Sequence, residues 1–522
     1  MQISVSRRKF LLSSAATGLA AASSLAMPAI VRAQSRPIAS HGLQSGDVGF
    51  DRAVLWSRAD RPSKAFFEWA TTESFKNPVR LPAIDALPDT DLTAKLMALD
   101  LPAGQDIFYR VRFEDLNDIN AVSEPLVGRL RTAPNGLRDI SFTWSGDTAG
   151  QGWGIDTARG GMTAYRTMLK HAPDFFIHSG DNIYADGVIQ AEVSLPDGSV
   201  WKNIVTAEKS KVAETLDEFR GQYKYNFMDE NVRSLYAAVP VLTQWDDHEV
   251  TNNWSSAKDL AADDRYKVKS IELLAARAAR AFHEYMPIAT TLAEPQRVYR
   301  KVAYGPLLDI FFLDMRTYRG PNTENRQPEE GPETVFLGTD QIDWLKRELT
   351  ASRATWKVIA ADMPIGLIVP DKLKGGVPGS EAIAQGDGAP LGRELEFAGL
   401  LSFIKHAKVR NTVWLTADVH YTAAHYYNPD KAEFQDFEPF WEFVSGPIHA
   451  GTFGPNQLEN TFGPELRYVK APEDGQANLP PSAGLQFFGH VRIAADTRMM
   501  TVSLLDAADT VLWSTDLEPK LG

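Results

Sequence analysis

The chain of 522 residues is 23% charged and 44% hydrophobic, with a mean hydropathy of −0.25. This balance excludes a disordered tail protein, a collagen-like chain and a polytopic membrane protein; at roughly 150 residues per domain it leaves room for two or three domains with real cores. A net charge of −13 argues against a nucleic-acid-binding surface. The absence of cysteine removes disulfides, zinc–thiolate sites, iron–sulfur clusters and thiol nucleophiles, so any metal must be held by oxygen and imidazole.

Residues 1–33 read as an address. Ser6-Arg7-Arg8-Lys9-Phe10-Leu11 sets paired arginines before an apolar, Ala/Ser-rich stretch, and Val31-Arg32-Ala33 offers a small-residue cleavage pattern. The pattern resembles a twin-arginine export signal, which implies passage of an already folded protein through the twin-arginine machinery to the periplasm or medium. The stretch is only weakly apolar and no second span follows, so no stable membrane anchor is expected. Cleavage removes Arg7, Arg8, Lys9 and Arg32 and no acid, making the net charge four units more negative than −13.

From about His41 to Pro134, β-rich runs at Ala53–Trp56, Ala65–Trp69, Ala94–Ala98 and Ile107–Val111 alternate with Pro, Gly and Asp clusters. Leu101-Pro102-Ala103-Gly104 followed by Tyr109-Arg110-Val111 resembles the tyrosine-corner turn of fibronectin-like sandwiches, so residues 40–134 are expected to form a small β-sandwich domain. After Arg138 the rhythm becomes strand, loop, helix. Asp139–Trp144, Pro173–Ile177, Val239–Gln244, Leu307–Leu313, Trp356–Ala360 and Thr412–Thr416 read as strands. Helices are expected through Met162–Leu169, around 207–237 and 265–285, and near 339–353 and 394–408. The tail from about Leu485 to Trp513 returns to strands. This alternation predicts an α/β domain over 138–518, a buried sheet covered by helices.

The acids and histidines fall at strand ends. The first α/β strand is followed by Ser145-Gly146-Asp147, the second by Gly180-Asp181 with Tyr184 and Asp186 beyond, the third by Asp246-Asp247-His248-Glu249, and the Thr412 strand by Asp418-Val419-His420. In α/β sheets ligands bind beyond the carboxyl ends of strands. Four such ends would gather Asp147, Asp181, Tyr184, Asp247, Asp418 and His420 into one acidic cup, self-repelling unless cations fill it. Asp181 is the natural bridge between two metals. The hard ligand set favours Fe(III), Mn, Ca or Mg, and two metals about 3.5–4 Å apart clamp a phosphoryl group. One Asp after a strand is as readily a helix N-cap; four together are not. His178, inside an apolar strand, reads as core, and His449 as a residue that could line the pocket from its loop.

At these residues the sequence resembles the PhoD-type alkaline phosphatases and phosphodiesterases of the metallophosphoesterase superfamily. Gly180-Asp181-Asn182-Ile183-Tyr184 matches one element, Trp245-Asp246-Asp247-His248-Glu249-Val250 with Asn252-Asn253 a second, and Asp418-Val419-His420 the last. The resemblance implies a metallophosphoesterase-like core behind an N-terminal sandwich, with Fe(III) and Ca(II) as cofactors, other divalent metals remaining open. It implies Asp181, Tyr184 and His420 around the iron, Asp181, Asp247 and Asp418 on the calcium side, and His248 near the leaving group. Two positions depart from the pattern. Gly146 replaces a cysteine at the first strand end, so Asp147 is assigned as the replacement ligand; a superfamily histidine is missing where only Asp362 stands.

The expected function is thus hydrolysis of small phosphate monoesters or diesters by an exported enzyme, through a metal-activated hydroxide attacking phosphorus. His248, Asn253 and Arg316 are the candidates for stabilising transition-state charge. The rival reading is a non-catalytic, calcium-dependent binding module.

Overall fold

The computed structural model describes residues 36–386 and 388–521, so the export-signal reading lies outside the described residues. Two large sheets carry the fold. In the nine-stranded sheet Ile140–Ser145, Phe175–Ser179 and Val241–Gln244 run parallel at the centre; the C-terminal strands Phe487–Ile493, Met500–Asp506 and Val511–Leu517 extend it on one side. In the seven-stranded sheet Leu308–Phe312, Trp356–Ala360, Thr412–Thr416 and Phe440–Val444 are parallel neighbours.

Strand sequence explains the layering. Central strands are buried on both faces, and alternate residues serve different cores. Phe175 and Ile177 point into a core shared with Val358, Ala360, Val413 and Leu415 of the other sheet. Phe176 instead packs under the helices Thr163–Lys170, Glu230–Ala238 and Ile271–Tyr285. On the second sheet Ile359 and Trp414 face Thr339–Ala351 and Glu394–His406. The result is helix, sheet, sheet, helix: a mixed α/β core of sheets covered by helices.

The expected helix over 207–237 is two helices, Leu216–Asn226 and Glu230–Ala238, because Asp229 leaves helical geometry and its carboxylate accepts from Asn231 N (2.9 Å) and Val232 N (3.2 Å). The N-terminal strands also behave unexpectedly. Ser63–Ala70, Asp106–Asp115 and Leu126–Arg131 belong to a separate six-stranded sheet, but Ala39–Gly46, Ala53–Ala59 and Thr93–Ala98 continue the nine-stranded one. The junction is the parallel pairing of Gly46 with Val241. A Cβ at Gly46 would lie 2.4 Å from Pro287 O and 2.5 Å from Val241 O, so only glycine permits this seam. The tyrosine-corner expectation is corrected: Tyr109 sits mid-strand with its ring against Gly128, and the Leu101–Gly104 turn is tied by Thr132 Oγ1 donating to Pro102 O at 2.6 Å.

Candidate metal centre

All parallel strands of both sheets point their carboxyl ends to one edge, and the predicted ligands meet there. Ligand atoms of Asp147, Asp181 and His420 lie within 4.8 Å of one another, as do those of Asp181, Asp247 and His248, and those of Asp246, Asp247 and Asp418. Asp181 belongs to two of these groups, the position a bridging carboxylate needs. The Tyr184 hydroxyl stands 2.8 Å from His420 Nε2. His420 Nδ1 is engaged by Gly451 O, which turns Nε2 toward the cluster.

The loops that bring them are tightly stitched and strained. Asp147, Asp181, Asn253, Asp418 and His420 all have left-handed backbone, with φ of 68°, 50°, 54°, 66° and 61°. Such geometry persists only where surroundings impose it. Here Asp147 N donates to Gly180 O (3.3 Å), Thr148 N to Asp181 O (2.9 Å) and His449 N to Asp147 O (3.1 Å). Glu249, fully buried, ties two ligand loops together by accepting from Asn182 N (2.6 Å) and Asp246 N (2.8 Å).

Electrostatics test whether cations suit the cluster. Asp147 is 1% exposed, yet neither of its carboxylate oxygens has a hydrogen-bond partner. Burial, then Asp246, hold its acid well above the usual carboxylate range; burial, then Asp246 and Asp247, do the same to Asp181. A buried, orphaned, mutually repelling set of hard oxygen donors with one imidazole and one phenol fits hard metal ions.

A cavity of about 240 Å³ opens on the cluster, lined among others by Asp181, Asp247, His248, Asn253, Asp418 and His420. His248 Nδ1 pairs with Asp186 Oδ1 at 2.6 Å, and Asp186 Oδ2 accepts from Asn252 N at 2.9 Å. Burial alone would lower the His248 pKa, but Asp186 and Asp247 outweigh it and raise it to about 10. Asn253 lines the cavity with its backbone N on Asp247 and its side-chain amide donating to Asp371 Oδ1 at 2.8 Å.

Arg316 departs from expectation. It is 0% exposed and does not line the cavity; its guanidinium is shared by Asp246 (2.5 Å), Asp362 (3.0 Å), Asp418 (3.2 Å) and Glu381. Encircled by four carboxylates, it offsets part of their charge and reaches Asp418 without facing the cavity. Asp362 serves this ring and joins no candidate metal group among the described residues. The His449 ring bonds Gly154 O (3.0 Å) rather than lining the cavity, and His178 is buried against Thr148 Oγ1 (2.8 Å), as core. The sequence reading assigned no role to Asp186, Glu249 or Glu381. Asp186 follows Tyr184 by two residues, a usable signal; Glu381 lies on a distant loop with none.

Paired sheets flanked by helices, with an acid-rich centre beyond their strand ends, define a metallophosphoesterase-type fold. The structure is similar to that of a purple acid phosphatase from yellow lupin (Lupinus luteus), with a TM-score of 0.54, 12% identity, and 92% of this chain and 74% of that chain covered. It is similar also to a structure of PhoD, with a TM-score of 0.67, 22% identity, and 93% and 90% covered. In sequence it is 28% identical to alkaline phosphatase D of Bacillus subtilis (strain 168) over 445 residues, 80% of this chain and 71% of that protein. The PhoD-like phosphatase family matches residues 142–504 and the N-terminal domain of PhoD-like phosphatases matches 22–134, so the chain belongs to the PhoD-like phosphatase family. By class it is a phosphoester hydrolase. Among the described residues no helix is long and apolar enough to cross a membrane.

Proposed function

We propose that the chain is an exported, metal-dependent phosphoesterase that hydrolyses phosphate monoesters, diesters or both. The observation that carries the reading is the fully buried Asp147 carboxylate, without a hydrogen-bond partner, within 4.8 Å of ligand atoms of Asp181 and His420. In this reading Asp147, Asp181, Tyr184 and His420 hold Fe(III), and Asp181, Asp247 and Asp418 hold Ca(II). Such a pair supplies Lewis-acid stabilisation of phosphoryl charge and lowers the pKa of the attacking water.

The chain's own residues do the rest. Asp186 fixes the His248 ring through Nδ1, leaving Nε2 to give a proton to the departing oxygen. Asn253 lines the cavity wall and, with one amide hydrogen given to Asp371, has the second left for developing phosphoryl charge. Arg316 keeps Asp246, Asp362 and Glu381 from repelling Asp418 out of position. The arginine pair at Arg7-Arg8 supports export by the twin-arginine route, with a periplasmic or secreted product.

The test is turnover of p-nitrophenyl phosphate and bis-p-nitrophenyl phosphate by protein purified with its native metal, before and after chelation. Chelator-sensitive release of p-nitrophenolate is expected, and metal analysis should find iron and calcium. No metal-dependent turnover of either ester would sink the proposal; zinc or manganese alone would correct its metals.

A further inference from the structure

A second, larger hollow adjoins the catalytic cavity. It has a volume of about 1,220 Å³, above the roughly 300–1,000 Å³ usual for ligand pockets. One wall is the segment around 255–265 and the other the strand Pro370–Lys372 of a hairpin, with Leu373, Gly375 and Gly376 of the turn that follows it. Asn252 lines both hollows, so the groove lies directly beside the site.

It opens on a particular side. Asn252 N donates to Asp186 Oδ2 at 2.9 Å, and Arg265, which lines the groove, donates from Nη1 to Asp186 O at 3.3 Å. Asp186 in turn holds His248 Nδ1, so the groove begins beside the residue proposed to protonate the leaving group. The hairpin wall is fixed to the same machinery: Asp371 accepts from Asn253 Nδ2 and from Asn322 Nδ2, both at 2.8 Å.

The lining indicates what it accepts. Leu260, Leu373, Ala257, Ala262, Pro321 and Pro370 give small or apolar surface. Lys258, Lys372 and Arg265 stand among Asp259, Asp263, Asp264 and Asp371, so the lining carries both signs with a slight acidic excess and offers no net positive charge to an anion. A polyanionic leaving group gains little there, whereas an uncharged alkyl or aryl chain loses water from its whole length.

We infer that this groove is the leaving-group subsite, and that it selects phosphoesters whose leaving group is an extended, uncharged and largely apolar alcohol. The inference rests on the phosphoesterase reading and adds its specificity. Full burial of one methylene contributes about fourfold to binding at most, from ~0.8 kcal/mol per CH₂.

The test compares release of inorganic phosphate from butyl, hexyl and octyl phosphate by the holoenzyme, with calorimetric binding of octylphosphonate as a readout independent of turnover. kcat/KM should rise about tenfold or more from butyl to octyl. Ala261→Trp, at an exposed position on the groove wall, should flatten that rise and weaken octylphosphonate at least tenfold, while butyl phosphate turnover stays unchanged. Leu373→Asp, on the opposite wall, should act in the same direction. Turnover without dependence on chain length, or a dependence that neither variant alters, overturns the subsite. Absence of turnover with all three esters and with p-nitrophenyl phosphate overturns the phosphoesterase reading instead. A preference for bisphosphates over octyl phosphate would show that the groove reads charge.

Discussion

Asp147→Asn should raise the stability of the metal-free protein and lower its gain from metal. In the metal-free chain this carboxylate is buried, has no hydrogen-bond partner on either oxygen, and is pushed well above the usual range by burial and Asp246. A buried charge left without its partner costs about 3–5 kcal/mol, an upper bound here because an acid raised this way takes up a proton instead. The amide that replaces it is also unpartnered, at a cost of about 1–3 kcal/mol. The difference leaves the chelated variant up to about 2 kcal/mol more stable than the chelated parent. With metal the order of effects reverses. Loss of one charged ligand should weaken binding about 100-fold or more, and the stabilisation gained on adding metal should shrink by about 2.7 kcal/mol or more. Thermal melts with and without chelator, beside metal analysis, read both changes. A carboxylate that merely capped its loop would cost about 1 kcal/mol in both states and leave the metal in place; that outcome, or a chelated variant less stable than the chelated parent, refutes the assignment.

Three further outcomes are expected. If Tyr184 is a phenolate ligand to Fe(III), concentrated holoenzyme should be violet and Tyr184→Phe should lose that band; a colourless, fully active parent would exclude the phenolate. Asp186→Asn should keep its metal but lose about 100-fold or more in kcat, because Asp186 holds His248 in position to protonate the leaving group. The loss should be greater for alkyl than for p-nitrophenyl phosphate, whose leaving group needs no proton, and an equal loss for both would contradict the acid role. Acid should destabilise the fold through histidines outside the site: burial, then nearby Lys95, lower His283 to about 3, and burial lowers His41 and His490 each to about 4. Their unfolded forms take up protons near pH 6.5 while the folded forms do not, so stability falls with pH from about 6.5 toward those values. The parent should lose about 1.4 kcal/mol per pH unit relative to His283→Gln across that window, and urea titrations with a pH-independent difference would contradict it.

The candidate ligands were legible in the sequence because each sits within a few residues of a strand that is apolar on both faces. Asp147, Asp181, Asp247 and Asp418 are read from local context alone. The ring around Arg316 was not legible, since Asp246, Asp362, Glu381 and Asp418 come from four segments that only the packed sheets bring together. Strands failed for a related reason. Phe440–Val444 carries Glu442 at its centre, which breaks the apolar run; its carboxylate is used by Ile365 N (2.7 Å), His425 Nδ1 (3.0 Å) and the Tyr427 hydroxyl (2.9 Å). Ala39–Gly46 is mostly small and polar, and becomes a strand because Ala53–Ala59 and Val241–Gln244 pair with it.

The centre cannot exist before the two sheets have met. Asp147, Asp181 and Asp247 leave the nine-stranded sheet, while Asp418 and His420 leave the seven-stranded one, with the shared core of Phe175, Ile177, Val358 and Leu415 between them. No partial fold holds more than one side of the ligand set, so a metal pair has its site only after these long-range contacts form. Five left-handed residues and a cluster of repelling carboxylates both weigh against the metal-free fold. The packed core must therefore hold this edge rigid on its own. Export of an already folded chain, as proposed, requires these long-range contacts to be made beforehand.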